Sequence, residues 1–308
     1  MTESIQVIDI MNHAPFVAPG LFGPEFQFME LQIMAETTFA SLKTAEGTIR
    51  TLWGTEVPAD GSVEADPTLK LESALERMDR AGYEAVVVTA TKMWSHYWHH
   101  KLIMDYPVDV VGEAVARSNG RIIGAASYNP FRISDSLAEI DYAVTELGFR
   151  YVWFHPMTFG IAPNDRRCYP LYAKCVELDI PVGFQVGHSA EVLPSDVGRP
   201  MLADDVAIEF PQLRINLSHT GWPWSAEWCS MLWRHPNVYG DISAYYPKSL
   251  DDEVVRFMNS SHGRHKVLFG TNGLSLSRCR SELEELGLKD ETLRRVLRDN
   301  ARQFLGLS

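Results

Sequence analysis

The chain has 308 residues and a formal net charge of −12, with 45% hydrophobic and 22% charged residues. That balance is ordinary for a globular protein, and an acidic chain without a basic run does not suit a phosphate backbone, so no nucleic-acid partner is expected. The length fits one α/β barrel, and no stretch approaches about 20 continuous apolar residues, so no membrane partner is expected either.

The start, MTESIQVIDIMNHAPF, lacks the charged-then-apolar pattern of a signal peptide, and Cys168, Cys175, Cys229 and Cys279 form no CxxC pair. The expectation is a cytoplasmic protein with free thiols. QVIDIMNH at 6–13 reads as the first strand. Residues 14–68 follow, rich in Pro, Gly and Phe, with no strand predicted. So long a loop after the first strand of a barrel falls at the active-site face, where it reads as a lid or a homo-oligomer contact; a surface excursion without a role is the alternative. LKLESALERMDRAG at 69–82 places Leu71, Leu75 and Met78 on one helical face and stops at Gly82. AVVVTA at 85–90 is the second strand. MWSHYWHHK at 93–101 then brings His96, His99 and His100, either a pocket wall or a solvated loop.

IIGAASYNP at 122–130 is the third strand, and a helix at 134–148 is expected to open with Ser134 and close with Gly148. YVWFHP at 151–156 and PVGFQVG at 181–187 flank a helix in CYPLYAKCVELDI. MLADDVAIEFPQL supplies the next helix, before RINLSHTG at 214–221. VYGDISA at 238–244 and VLFGTNG at 267–273 complete eight strands. Their interiors are apolar on both faces, as parallel strands covered by helices require. Alternating strand and helix over this length predicts a closed (β/α)8 TIM barrel, one domain over 1–308, with the doubly wound open sheet as the alternative. No GxGxxG follows the first strand, so nothing indicates a dinucleotide.

Side chains at the C-terminal strand ends of such a barrel converge on one pocket. The candidates, in strand order, are Asn12 and His13, Asn129, His155, Gln185 with nearby His188, His219, Asp241, and Thr271 with Asn272. A lone histidine is more often a hydrogen-bonded structural residue. Several at one face suit acid–base work, because imidazole titrates near neutrality.

The ordered segments VIDIMNH, GFRYVWFHP, DRRCYPLYAKCVELDIPVGFQVG, LRINLSHTG, VLFGTNG and VLRDNARQFLGL together resemble the amidohydrolase-related family, in its branch of aminocarboxymuconate-semialdehyde-type and resorcylate-type decarboxylases. The resemblance leaves only 14–68 unmatched. It implies metal-ligand positions at Met11, His13, Gln185 and Asn272, where the family usually carries His or Glu, His, His and Asp. It also matches His219 to the usually catalytic strand-6 histidine and His155 to the histidine of an HP dipeptide. Three of the four ligand positions are thus replaced. Thioether sulfur is soft, and neutral amides offset little of a divalent charge, whereas catalytic zinc normally keeps three good ligands.

These residues predict an enzyme acting on a small organic, conceivably aromatic, acid or lactone by metal-independent acid–base chemistry, decarboxylation or hydrolysis. His219 would be general acid or base with His13 as its partner. His155, Gln185, His188, Thr271, Asn272 and Arg199 would bind substrate, with Arg132 a further carboxylate candidate. No cofactor is expected, the alternative being one weakly bound Zn or Mn ion. Two other readings stay open: an ordinary metal-dependent hydrolase or decarboxylase with a weakened site, and a non-catalytic binding protein on a barrel.

Overall fold

The computed structural model describes residues 5–14, 16, 48–51, 53, 55–58, 70–94, 102–191 and 193–307. Eight parallel strands lie in the order β1 (Val7–Asn12), β4 (Tyr83–Thr89), β7 (Ile122–Ala126), β8 (Tyr151–Phe154), β9 (Val182–Gln185), β10 (Ile215–Ser218), β11 (Val238–Asp241) and β12 (Val267–Leu268). The amide of Ile10 donates to Phe269 O at 2.9 Å, and that of Asn272 to Met11 O at 2.8 Å, so the last strand returns to the first and the barrel closes. The (β/α)8 expectation is met, and all eight predicted strands are present.

The helices come where the apolar period placed them. Helix α1 (Leu71–Ala81) ends at Gly82, whose φ of 74° is the left-handed conformation a helix stop uses. After α2 (Val108–Arg117), α3 spans Ile133–Thr145 and so begins before Ser134. Ser136, rather than Ser134, receives a loop amide there, that of Asn129 at 3.1 Å. Further helices are α4 (Tyr169–Glu177), α5 (Asp204–Glu209), α6 (Ser225–Arg234), α7 (Asp252–Met258), α8 (Leu276–Glu284), α9 (Asp290–Arg294) and α10 (Asn300–Leu305).

Two apolar layers result from the strand period of two. Ile8, Ile10, Met11, Val87, Ala125, Tyr151, Trp153 and Leu268 fill the barrel interior. Phe304 of α10 meets Tyr151 and Tyr239 near the starts of their strands, at ring separations of 5.6 and 5.2 Å, and stoppers the N-terminal end. The outward side chains pack with the helices in a second, larger cluster. Gly183 is small for a reason: a Cβ there would strike the Tyr151 ring and hydroxyl.

Two short antiparallel pairs decorate the barrel, β2 (Thr48–Thr51) with β3 (Thr55–Pro58) and β5 (Lys92–Trp94) with β6 (Leu102–Asp105). The first corrects the expectation that 14–68 holds no strand. Its turn residue Trp53 has φ of 70°, unusual for an aromatic, and is fixed by tertiary bonds rather than turn chemistry: its amide donates to Gly273 O at 2.6 Å and its indole to Asn12 Oδ1 at 2.6 Å. The rest of 14–68, apart from Ala14, Phe16 and these pieces, lies outside the described residues, as do His96, His99 and His100. No helix among the described residues is long and apolar enough to cross a membrane.

Candidate active site

Trp153, the third residue of β8, forms a central wall. Its ring meets His13 at 6.2 Å, His155 at 6.1 Å and His219 at 6.2 Å between centroids. Its indole N–H donates to Ser218 Oγ at 2.9 Å, which fixes the ring's orientation. The strand-end histidines of β1, β8 and β10 are therefore brought round one aromatic.

His219 is the most constrained of the three. It is 3% exposed and has a φ of 75°, with Thr220 at 59° behind it. Such backbone persists in non-glycine residues when the surroundings over-determine it. Here the Asp241 carboxylate, at the end of β11, accepts the His219 amide at 3.3 Å and the Ser243 amide at 2.9 Å, and the Thr220 amide donates to Asp241 O at 3.2 Å. His219 Nδ1 lies 2.6 Å from Ser243 Oγ, and that hydroxyl donates onward to Asp241 Oδ1. Asn216 adds a fourth bond to the carboxylate at 2.7 Å. Burial pushes the His219 pKa down, the Asp241 charge opposes this, and His155 adds to the lowering.

His13, half-buried, places Nδ1 3.3 Å from Thr91 Oγ1 and 3.4 Å from Thr89 Oγ1. Burial and the facing His219 hold its pKa down to about 4, so the ring is neutral at neutral pH. His155 is buried, with Nε2 3.0 Å from Ser189 Oγ, and Ser189 donates to Glu191 Oε2. Burial alone would raise the Glu191 pKa, but the His155 hydrogen bond and charge, with Ser189, hold it at about 2.

The other candidates divide. Asn272, at φ of 53°, follows β12; its Oδ1 is buried near His13, whose charged form it favours, without a well-formed hydrogen bond among the described residues. Gln185 is buried and its Nε2 donates to His188 O at 3.3 Å. Thr271 faces inward: its hydroxyl donates to Asp9 at 2.6 Å and accepts from Asn12 at 2.7 Å, leaving it little capacity for a ligand. His188 is exposed beside Trp222 and Trp224 and lies 2.6 Å from Ser195 Oγ. Arg199, also exposed, pairs with Glu227 and lies over the Trp224 ring. Arg132 is exposed at the start of α3. Asn129 serves its own turn, accepting the Phe131 amide at 3.0 Å.

The sequence reading passed over four residues: Asp9, Ser189, Glu191 and Ser243. Asp9 had a signal, a carboxylate in the middle of an apolar strand. It is fully buried and accepts from the amides of Met11 and Thr271, both at 3.1 Å, and from Asn12 and Thr271 side chains. Burial outweighs those bonds and raises its pKa to about 7.

The positions where the family resemblance implies ligands do not make a good divalent site. Met11 is packed among aliphatic side chains of the barrel interior, and Gln185 and Asn272 offer neutral amides beside the single imidazole of His13. Among the described residues, no three His, Cys, Asp or Glu side chains are grouped so as to hold an ion. A catalytic zinc site normally uses three good ligands.

A TIM barrel with a strand-end histidine cluster is an enzyme architecture of wide use. The chain belongs to the amidohydrolase family, whose model matches residues 66–307. A curated relative, 2-keto-4-carboxy-3-hexenedioate hydratase of Sphingobium sp. (strain NBRC 103272 / SYK-6), is 24% identical over 208 residues, which are 56% of this chain and 61% of the relative. The chain thus spans less than two thirds of that protein's length. Among solved structures, an uncharacterised TIM-barrel protein of Bordetella bronchiseptica is 23% identical with a TM-score of 0.75, over 98% of both chains. A manganese-bound 5-carboxyvanillate decarboxylase of Novosphingobium aromaticivorans is 16% identical with a TM-score of 0.66, over 99% of this chain and 98% of that one. At these identities the structures share the fold.

Proposed function

We propose that this chain is a metal-independent enzyme that moves protons on a small unsaturated or aromatic carboxylic acid, with His219 as general acid or base and His13 as its partner. The observation that carries this reading is the fixing of His219 by Ser243 and Asp241. A positioned imidazole whose pKa is pushed down is neutral at neutral pH and available as a base. The neutral, half-buried His13 faces the same tryptophan. Asn272 Oδ1, beside His13, is an acceptor that can take a hydrogen bond from that ring or from a substrate hydroxyl. Gln185 and His155 line the same region of the fold, whereas His188 and Arg199 would act at the rim. The hydratase relative supports water addition or its reverse as the reaction type, and the decarboxylase neighbour lends the alternative of carboxylate loss. The insertion is read as a lid, supported by Trp53 docking on Asn12 and Gly273.

The test uses EDTA-treated protein with 2-keto-4-carboxy-3-hexenedioate, followed by loss of conjugated absorbance, and with 5-carboxyvanillate, followed by CO2 release. Turnover of one of them that persists without metal and drops ~100-fold or more in His219→Asn is expected, the usual scale for a positioned acid or base. Turnover that appears only with added Mn or Zn, or binding of both acids without turnover, overturns the proposal.

A further inference from the structure

We infer that His155 is a further proton-transferring residue of this site beside His219 and its partner His13, presented by Ser189 and Glu191 as His219 is presented by Ser243 and Asp241, so that the pocket acts on an unsaturated oxo-acid with His219 taking a proton and His155 giving one. This rests on the function proposed above and extends it to residues that the family resemblance gives no proton-transfer role.

The argument is one of counting protons. Ser189 has a single hydroxyl proton, and an ionised Glu191 can only accept, so that proton lies on the Ser189–Glu191 bond. The Ser189 oxygen must then accept from His155, which puts a proton on Nε2 across the 3.0 Å contact. Glu191 Oε2 lies 3.7 Å from the same nitrogen, so the carboxylate stands behind the edge of the ring that carries the proton. The working edge of His155 is therefore Nδ1. That atom is buried and has no hydrogen-bond partner among the described residues, in a side chain only 3% exposed. Leaving a buried polar atom unpaired costs about 1–3 kcal/mol, a cost a purely structural histidine has no reason to carry.

The same counting applies to His219. Ser243 gives its proton to Asp241 and accepts from Nδ1–H at 2.6 Å, which leaves Nε2 as the basic edge. Two carboxylate–serine–imidazole relays thus flank Trp153, one leaving Nε2 and the other Nδ1. The charged or titratable groups facing His155 among the described residues are Glu191, His13 and His219.

For water addition the step balances without an oxidant or metal. His219 Nε2 takes a proton from water as the water oxygen bonds to the carbon β to the carbonyl. The alkene electron pair moves to the α carbon, and His155 Nδ1–H protonates it. The relays exchange protons with solvent when the product leaves. The asymmetry matters: decarboxylation needs one proton delivered to carbon, whereas hydration needs one taken and one given.

The experiment is two-bond 1H–15N correlation of histidine-labelled full-length protein, combined with kinetics on 2-keto-4-carboxy-3-hexenedioate. His155 is expected to carry its proton on Nε2, alone or as the doubly protonated ring, and Ser189→Ala and Glu191→Gln are expected to change the His155 signature while leaving His219 as it is. Ser189→Thr, which keeps the hydroxyl, should restore the wild-type signature. His155→Asn should lower kcat ~100-fold or more with KM little changed. A His155 ring protonated only on Nδ1, or one indifferent to both substitutions in folded protein, overturns the relay. If His219→Asn abolishes turnover and a folded His155→Asn keeps it, this inference fails and the function proposed above stands; if both keep it, that function fails as well.

Discussion

Replacing Asp9 by asparagine tests the electrostatics of the layer between the first strand and the helices without needing a substrate. Asp9 is fully buried, and its pKa is raised from an ordinary 3.8 to about 7. In the folded protein it therefore binds a proton between pH 4 and 7 that the unfolded chain has released, so its contribution to stability falls as pH rises through that window. The displacement corresponds to about 4 kcal/mol at neutral pH, from about 1.4 kcal/mol per pH unit. Wild-type stability alone does not display this. His13 is held down to about 4, so the unfolded state binds the extra proton and stability rises by at most about 3 kcal/mol over nearly the same range, less for the ring's partial exposure. The two slopes largely cancel, and the difference between variant and wild type isolates Asp9. At pH 4 Asp9→Asn should be the less stable by about 1–3 kcal/mol, because its new NH2 faces the Asn12 donor that the carboxylate accepted at 2.7 Å. By pH 8 it should have gained about 4 kcal/mol relative to wild type and match or exceed it. Urea titrations at half-unit pH intervals give the curve. A stability difference that is flat from pH 4 to 8 would show that Asp9 ionises like an ordinary carboxylate and would refute the reasoning.

Two further substitutions address the mouth of the barrel. Asn272→Asp should lower turnover and stability without creating metal dependence, since it buries a carboxylate beside a His13 ring that burial keeps neutral; Mn-stimulated turnover above wild type, alone or with Met11→His and Gln185→His, would show a damaged metal site instead. Trp53→Phe strands the Asn12 Oδ1 acceptor and should cost about 1–3 kcal/mol while speeding proteolysis within 14–68; unchanged stability and cleavage would count against the lid.

The fold was legible because the barrel strands are apolar on both faces and the helices on one, so the period changes at nearly every boundary. VVV in β4 and VWF in β8, short apolar runs alternating with helical periods, fit strands covered on both sides. What escaped was set by tertiary contact. The hairpin around Trp53 carries a left-handed tryptophan, which no turn preference favours, and it exists because the end of β12 and Asn12 hold that residue. At the start of helix α3 the tertiary bond falls on Ser136, which accepts the Asn129 amide, rather than on Ser134.

The site was half legible, and the missing half follows from how histidines are tuned. Position at a strand end told where His13, His155 and His219 would point, because barrel geometry makes that a property of the strand. It did not tell which nitrogen each would offer. That depends on one hydroxyl apiece, and serine is too common to be noticed: Ser243 lies two residues beyond Asp241, and Ser189 is 34 residues from the histidine it serves. Strand parity contains a trace of the first pair, since residues two apart share a face, and a serine two places after a strand-end carboxylate is a bridge in waiting. The second pair lies on a loop, where no period constrains it, and only the folded chain brings Glu191 beside His155. The positions where the resemblance implies ligands sharpen this contrast. Met11 joins the apolar interior and Asn272 offers a neutral amide, while two buried carboxylates, Asp241 and Glu191, stand behind imidazoles. In the proposed mechanism each of these carboxylates orients a proton carrier, and the two relays stand round one tryptophan.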